Sequence, residues 1–265
     1  ARQPRRQATE AEVAAAAASA GGRLVPDVEL LEEVTDLVEQ PVACAGSFDQ
    51  EFLAVPRPVI ISAMRGHQRY FALEDAAGNL LPAFVAVNNT RPKDLAVVSR
   101  GHERVLRARL ADARFFVTED TKRPLISRLE DLKQVTYHAK LGSSFDKVER
   151  VTALAVWLVG GLLPAEVEKV ERAARLAKCD LVTGMVGEFP ELQGQVGADY
   201  ARRDGEDPAV ATAIAEHYLP LGAGAELPAG MIGTIVGLAD RLDTICGLFG
   251  VGQTPTGAAD PFALR

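Results

Sequence analysis

Four residues have types and an order that could do chemistry together: His138 in YHAKLG, Asp180 in AKCDLV, His217 in AEHYLP and Asp240 in LADRLD. Imidazoles and carboxylates presented from successive helices can hold a divalent cation that activates water for phosphoester hydrolysis. A working site of that kind needs an adjacent His-Asp pair on its second helix, and here the pair is Cys179-Asp180. Loss of an imidazole removes an inner ligand, and a lone cysteine does not suit a hard cation. The pattern keeps the outline of a metal site and predicts that the reaction is lost and no metal is held. Either histidine alone is more often a hydrogen-bonded or surface residue than a ligand. The alternative is a live metal-dependent phosphohydrolase on a nucleotide or phosphodiester, with these four residues as ligands and Glu188 as a spare acid.

The elements that position these residues follow from pattern. Ala173 to Gly194 reads as one long helix, since Leu176, Cys179 and Val186 recur at helical spacing and no proline intervenes before Pro190. Asp180 then falls on the apolar side, where a carboxylate needs a cation or hydrogen-bond donors. Further helices are predicted over 100–118, 125–134, 144–160, 164–187, 208–218 and 228–249, with Pro164, Pro208 and Pro228 in first turns. No run of strand period appears after Ser99. Before it, helices are expected over 5–20 and 27–38, the second capped by Asp27. A β-hairpin is expected over 69–88, its loop containing Gly78. His67, Gln68 and Arg69 precede the hairpin and read as its cap and the join between domains. The fold class is therefore an α+β part, 1–98, followed by an all-helical domain, 99–265, with the boundary at Asn88 to Pro92.

Composition is that of a water-soluble globular chain, 48% apolar and 25% charged over 265 residues. No apolar run approaches the ~20 residues a membrane span needs. Three scattered cysteines, without a C-x-x-C pair, speak for a reducing cytoplasm and against a zinc knuckle. The chain starts without Met, as a piece of something longer would. Net charge is −7, yet residues 100–150 hold twelve Lys and Arg against eight Asp and Glu. That is the asymmetry of a local polyanion contact. On a helical wheel Arg100, Arg104, Arg107 and Arg114 fall within an arc of about 80°. Such a row of guanidinium forks suits phosphate oxygens, though a solvated face has the same pattern. Val105, Leu106, Leu110, Ala113 and Phe116 form the opposite, core-facing side, on which Arg109 and Asp112 read as a buried pair.

Long blocks of the chain resemble the middle of the bacterial glycine–tRNA ligase beta subunit. They are RGHQRYFALEDAAGNLLPAFVAVNN (65–89), GHERVLRARLADARFF (101–116), YHAKLGSSFDKVER (137–150) and AARLAKCDLVTGMVGEFPELQG (173–194). EHYLP (216–220), LADRLDTICGLFGVG (238–252) and PTGAADPFALR (255–265) continue them in order. The chain departs from the family pattern at His102, where Asn is expected, and at Cys179, where Ala is expected.

The resemblance implies a helical part of the HD-phosphohydrolase type with a degenerate site at His138, Asp180, His217 and Asp240. It implies tRNA(Gly) and a separate alpha subunit as partners in a hetero-oligomeric, cytoplasmic ligase. The alpha subunit would use ATP and Mg, and this piece alone would neither bind a cofactor nor catalyse aminoacylation. Arg100, Arg104, Arg107, Arg114, Lys140, Lys147 and Arg150 are the expected phosphate contacts, which position the tRNA without reading bases.

Overall fold

The computed structural model describes residues 2–255 and Asp260; the PTGAADPFALR block lies almost wholly outside them, as does the side chain of His67. The chain is α+β and divides into two units, Ala1–Thr118 and Glu119–Arg265.

The first unit holds α1 (Arg2–Ser19), β1 (Arg23–Leu24), α2 (Val28–Leu37), β2 (Val42–Ser47), α3 (Arg57–Gln68), β3 (Phe71–Glu74), β4 (Leu80–Asn88) and most of α4 (Leu95–Asp120). Asp27 caps α2 as its sequence position predicts, its carboxylate accepting from Leu30 N at 2.8 Å. The β3–β4 hairpin is the predicted one. Its turn is held by Asp75 Oδ1, which accepts from Ala77 N and Asn79 N, and Gly78 takes the left-handed φ of +87°. The sheet order is β1-β3-β4-β2, antiparallel throughout. Val13, Ala17, Leu30 and Val34 of α1 and α2 pack with Phe71, Leu73 and Val85 to form a core. Arg69 ends α3 in the left-handed region, with φ +53°, and its guanidinium reaches Glu33, so it acts as a local cap.

The edge strand β2 would offer unpaired backbone groups to any passing strand. Side chains occupy them instead. Ala43 N donates to Glu12, Ser47 N donates to Glu103 and Ala45 O accepts from Ser99. Gly46 has no Cβ because one would lie 2.5 Å from the Phe84 ring. Glu103 and Ser99 belong to α4, and so does His102. Tyr70 OH donates to His102 Nδ1 at 2.8 Å, and Asn88 Oδ1 accepts from His102 Nε2 at 3.2 Å. These bonds explain why the division falls after Thr118 and not at the expected 98/99: the whole first part of α4 is built into the sheet domain.

The buried face of α4 is Leu106, Leu110, Ala113 and Val117. Val105, expected to face the core, is 42% exposed. Asp112 is exposed and Arg109 half-buried, so the two do not form a buried pair.

The second unit is not wholly helical. Thr136–His138 (β5) and Gly142–Ser143 (β6) pair as a small antiparallel ribbon, too short to leave a periodic signal. Ser143 then opens α5 (Ser144–Leu162) with a reciprocal cap: its hydroxyl accepts from Asp146 N, and Asp146 accepts from Ser143 N. The remaining helices are α6 (Val167–Leu176), α7 (Gly184–Glu188), α8 (Gln195–Arg203), α9 (Pro208–Glu216) and α10 (Met231–Gly250). Val151, Ala155, Val170, Ala173, Leu176, Ile214, Val236 and Ala239 fill the core among α5, α6, α9 and α10.

The single helix expected over 173–194 is instead α6, a 3₁₀ turn at Cys179–Val182, α7 and a second 3₁₀ turn at Pro190–Leu192. Side chains break it by binding backbone N–H groups. Thr183 caps α7 through Val186 N, and the buried Asp120 carboxylate accepts from Gly184 N and Met185 N. Asp180 Oδ2 accepts from Gly194 N at 2.5 Å and Gly197 N at 3.1 Å, at the start of α8.

Candidate functional site

Of the four residues with ligand chemistry, the fold brings two together. His217 follows α9 and is fully buried, and Asp240 lies in the middle of α10. Ile214 O, which can only accept, lies 2.6 Å from His217 Nδ1, so the proton sits on Nδ1 and Nε2 is left as an acceptor. A metal-binding histidine is prepared in the same way. The group that meets this Nε2 is the ammonium of Lys178.

Lys178 Nζ lies 2.9 Å from His217 Nε2, 3.1 Å from Asp240 Oδ2 and 4.0 Å from the centre of the Tyr218 ring. Its three N–H bonds thus have an imidazole, a carboxylate and a π-face to meet. A second ammonium, that of Lys147 on α5, is 2.9 Å from Asp240 Oδ1 and 3.2 Å from Asp243 Oδ2, and donates to Thr244 Oγ1 at 2.7 Å. The Lys147–Asp240 Oδ1 approach is a charge contact without hydrogen-bond alignment. Arg150 closes the far side of Asp243 at 2.6 Å and donates to Leu141 O. The space bounded by Lys147, Lys178, His217 and Asp240 has no room for a water-sized sphere.

Charge and burial set the protonation states. Burial raises the pKa of Asp240, but Lys178, Lys147 and His217 outweigh it and hold the carboxyl well below the usual range. Burial lowers that of the Lys178 ammonium, against the pull of Asp240. Burial, with the neighbouring Lys178, pushes His217 down to about 3, so the imidazole is neutral at physiological pH. For Lys147 burial is again opposed by Asp240, and its ammonium titrates above the ordinary value.

The other two expected ligands are engaged elsewhere. His138 sits on β5, where its Nδ1 accepts from Lys140 N at 3.1 Å, and it does not line the space around Lys178. Asp180 caps α8 with Oδ2, while its Oδ1 is buried without a partner among the described residues; burial pushes the carboxyl up to about 6 despite the two backbone donors. Cys179 donates its thiol to Arg175 O, and burial raises it to about 12, so it is no thiolate ligand. Glu188 and Glu191 are exposed. Among the described residues no group of three or more His, Cys, Asp or Glu could hold a metal ion. A divalent metal does not fit this cluster, because its centre already contains cations.

The basic residues divide as well. Lys147 and Arg150 turn inward to Asp243 and are not available to phosphate. Arg107 pairs with Asp49 at 3.3 Å, and Arg114 pairs with Glu51 at 2.6 Å while lying over the Phe52 ring. Arg100, Arg104 and Lys140 are exposed and make no ion pair among the described residues, and the same holds for Arg91 and Lys93 just ahead of α4. Sequence reasoning missed Arg91 and Lys93 because they fall in the turn before the helix rather than on its wheel. It missed Lys178 because a lysine beside Cys179-Asp180 carries no mark of burial.

Fold and cluster together define an α+β chain whose helical unit carries an imidazole–carboxylate cluster sealed by lysines. The profile of the glycyl-tRNA synthetase beta subunit family matches residues 1–265. The chain is 59% identical over 261 residues to the glycine–tRNA ligase beta subunit of Geotalea uraniireducens and 58% identical to that of Geobacter metallireducens, in each case over 98% of this chain. The chain spans 38% of the length of these relatives. It belongs to the glycyl-tRNA synthetase beta subunit family. Among the described residues no helix is long and apolar enough to cross a membrane.

Proposed function

We propose that the chain is a non-catalytic, tRNA-contacting part of the beta subunit of a heteromeric glycine–tRNA ligase. In this reading the alpha subunit carries out aminoacylation with ATP and Mg in the cytoplasm, and this part helps to hold tRNA(Gly). The observation that carries the reading is the pair of exposed guanidinium groups of Arg100 and Arg104, one turn apart on α4 and without an ion pair among the described residues. They follow the equally exposed Arg91 and Lys93. Four cations without acidic partners among the described residues are what a phosphate backbone recruits, and they give no means of telling one base from another.

We further assign the second unit to the degenerate HD type. Support comes from the order His138, Asp180, His217, Asp240 and from the His217 tautomer, which is the one a metal ligand would need.

The test is reconstitution of the ligase with Arg100→Ala/Arg104→Ala in the beta subunit. The KM for tRNA should rise about tenfold, ~1.4 kcal/mol for two solvent-screened contacts. Glycine-dependent ATP–pyrophosphate exchange should stay unchanged. An unaltered KM would remove α4 from the tRNA contact.

A further inference from the structure

We propose that the ammonium groups of Lys178 and Lys147 are the resident cations of the interior cluster, doing internally the cross-linking work of a divalent ion. The centre under Lys178 is then a cation site closed by the chain itself. The inference does not depend on the tRNA-contacting reading.

Geometry carries it. His217 Nε2 and Asp240 Oδ2, an imidazole nitrogen and a carboxylate oxygen, converge on one atom, Lys178 Nζ, at 2.9 and 3.1 Å. The imidazole has been set for this by its Nδ1–H···O=C bond to Ile214. Asp240 uses its other oxygen toward Lys147, which also meets Asp243, and Arg150 binds Asp243 from the far side, so three cationic side chains face two carboxylates. The two ammonium groups are tethered to separate elements. Lys147 comes from α5, Lys178 from the turn after α6, His217 from the end of α9, and Asp240 and Asp243 from α10. The four elements that surround the helical core thus meet through one charged knot, as they would at a structural metal. No water-sized space remains among these groups. A buried lysine is otherwise hard to account for, since its charge is costly unless paired on every side.

Two charge-removing variants separate this from an ordinary ion pair. Lys178→Met deletes the charge and fills the space, whereas Lys178→Ala deletes the charge and opens it. Wild-type protein, denatured in EDTA and refolded with or without Zn²⁺, should contain no stoichiometric zinc and show no change in Tm. Both variants without metal should melt about 10 °C lower, as loss of one partner of a buried pair implies. Methylammonium chloride, which offers an untethered ammonium to the space opened in Lys178→Ala, should raise the Tm of that variant above its value in NaCl of equal concentration. It should have no such effect on Lys178→Met, whose side chain fills that space. Stoichiometric zinc in the wild type would overturn the proposal, as would an unchanged Tm in Lys178→Met. So would equal responses of Lys178→Ala and Lys178→Met to methylammonium.

Discussion

Asp180 gives the sharpest stability prediction. Its carboxyl is fully buried, and Oδ1 has no hydrogen-bond partner among the described residues although Oδ2 accepts from Gly194 N and Gly197 N. Burial pushes its pKa from the ordinary 3.8 to about 6. A carboxyl raised on folding binds its proton more tightly in the native state. Its stabilising contribution is therefore full below the unfolded value and is lost as pH rises through the folded one. The difference of about two pH units at 1.36 kcal/mol per unit amounts to about 3 kcal/mol, lost between pH 4 and pH 7. Asn at this position does not titrate. Urea unfolding of wild type and Asp180→Asn, each at pH 4, 5, 6 and 7, isolates the effect by subtraction. The wild-type stability should fall relative to that of the variant by about 3 kcal/mol over this range. A difference independent of pH, or one that grows with pH, would show that the buried carboxyl is held ionised by groups other than those described.

Other perturbations test other parts of the structure. Lys147→Met should destabilise the chain by about 3–5 kcal/mol in the same urea assay, because it leaves Asp243 and Asp240 buried with one cation fewer. A loss under 1 kcal/mol would mean that the pair is solvated. Gly46→Ala should cost about 1–3 kcal/mol, since the new Cβ would press into the Phe84 ring; a neutral effect would show that β2 and the ring shift freely. Iodoacetamide applied to the native protein should label the exposed Cys246 and spare the buried Cys44 and Cys179, read by peptide mass; fast labelling of Cys179 would contradict its burial.

The sheet domain was largely legible in the sequence. Asp27 as cap, Gly78 in the hairpin loop and the apolar run from Leu80 to Val87 are local signals, and local signals survive folding. What could not be read depends on partners distant in the chain. Lys147 and Arg150 look like surface cations until Asp243, more than ninety residues further on, is seen to claim them. Arg107 and Arg114 kept their place on the α4 stripe, but Asp49 and Glu51, far upstream, neutralise them. The stretch 173–194 has a helical period throughout, yet Asp120, Thr183 and Asp180 bind its backbone N–H groups and fold it into short turns. Of the four His and Asp residues singled out, His217 and Asp240 meet the same group, and that group is a lysine that no periodicity distinguishes from a solvated one.

The claim that the exposed head of α4 meets tRNA phosphates is tested most directly by salt dependence. The affinity of the chain for tRNA(Gly), measured by fluorescence anisotropy between 50 and 200 mM salt, should fall steeply with salt. In Arg100→Ala/Arg104→Ala the slope of log affinity against log salt should be shallower by about 2, one per lost phosphate contact, whereas Arg107→Ala/Arg114→Ala should keep nearly the wild-type slope. Equal affinity and equal slope in wild type and Arg100→Ala/Arg104→Ala would contradict the account.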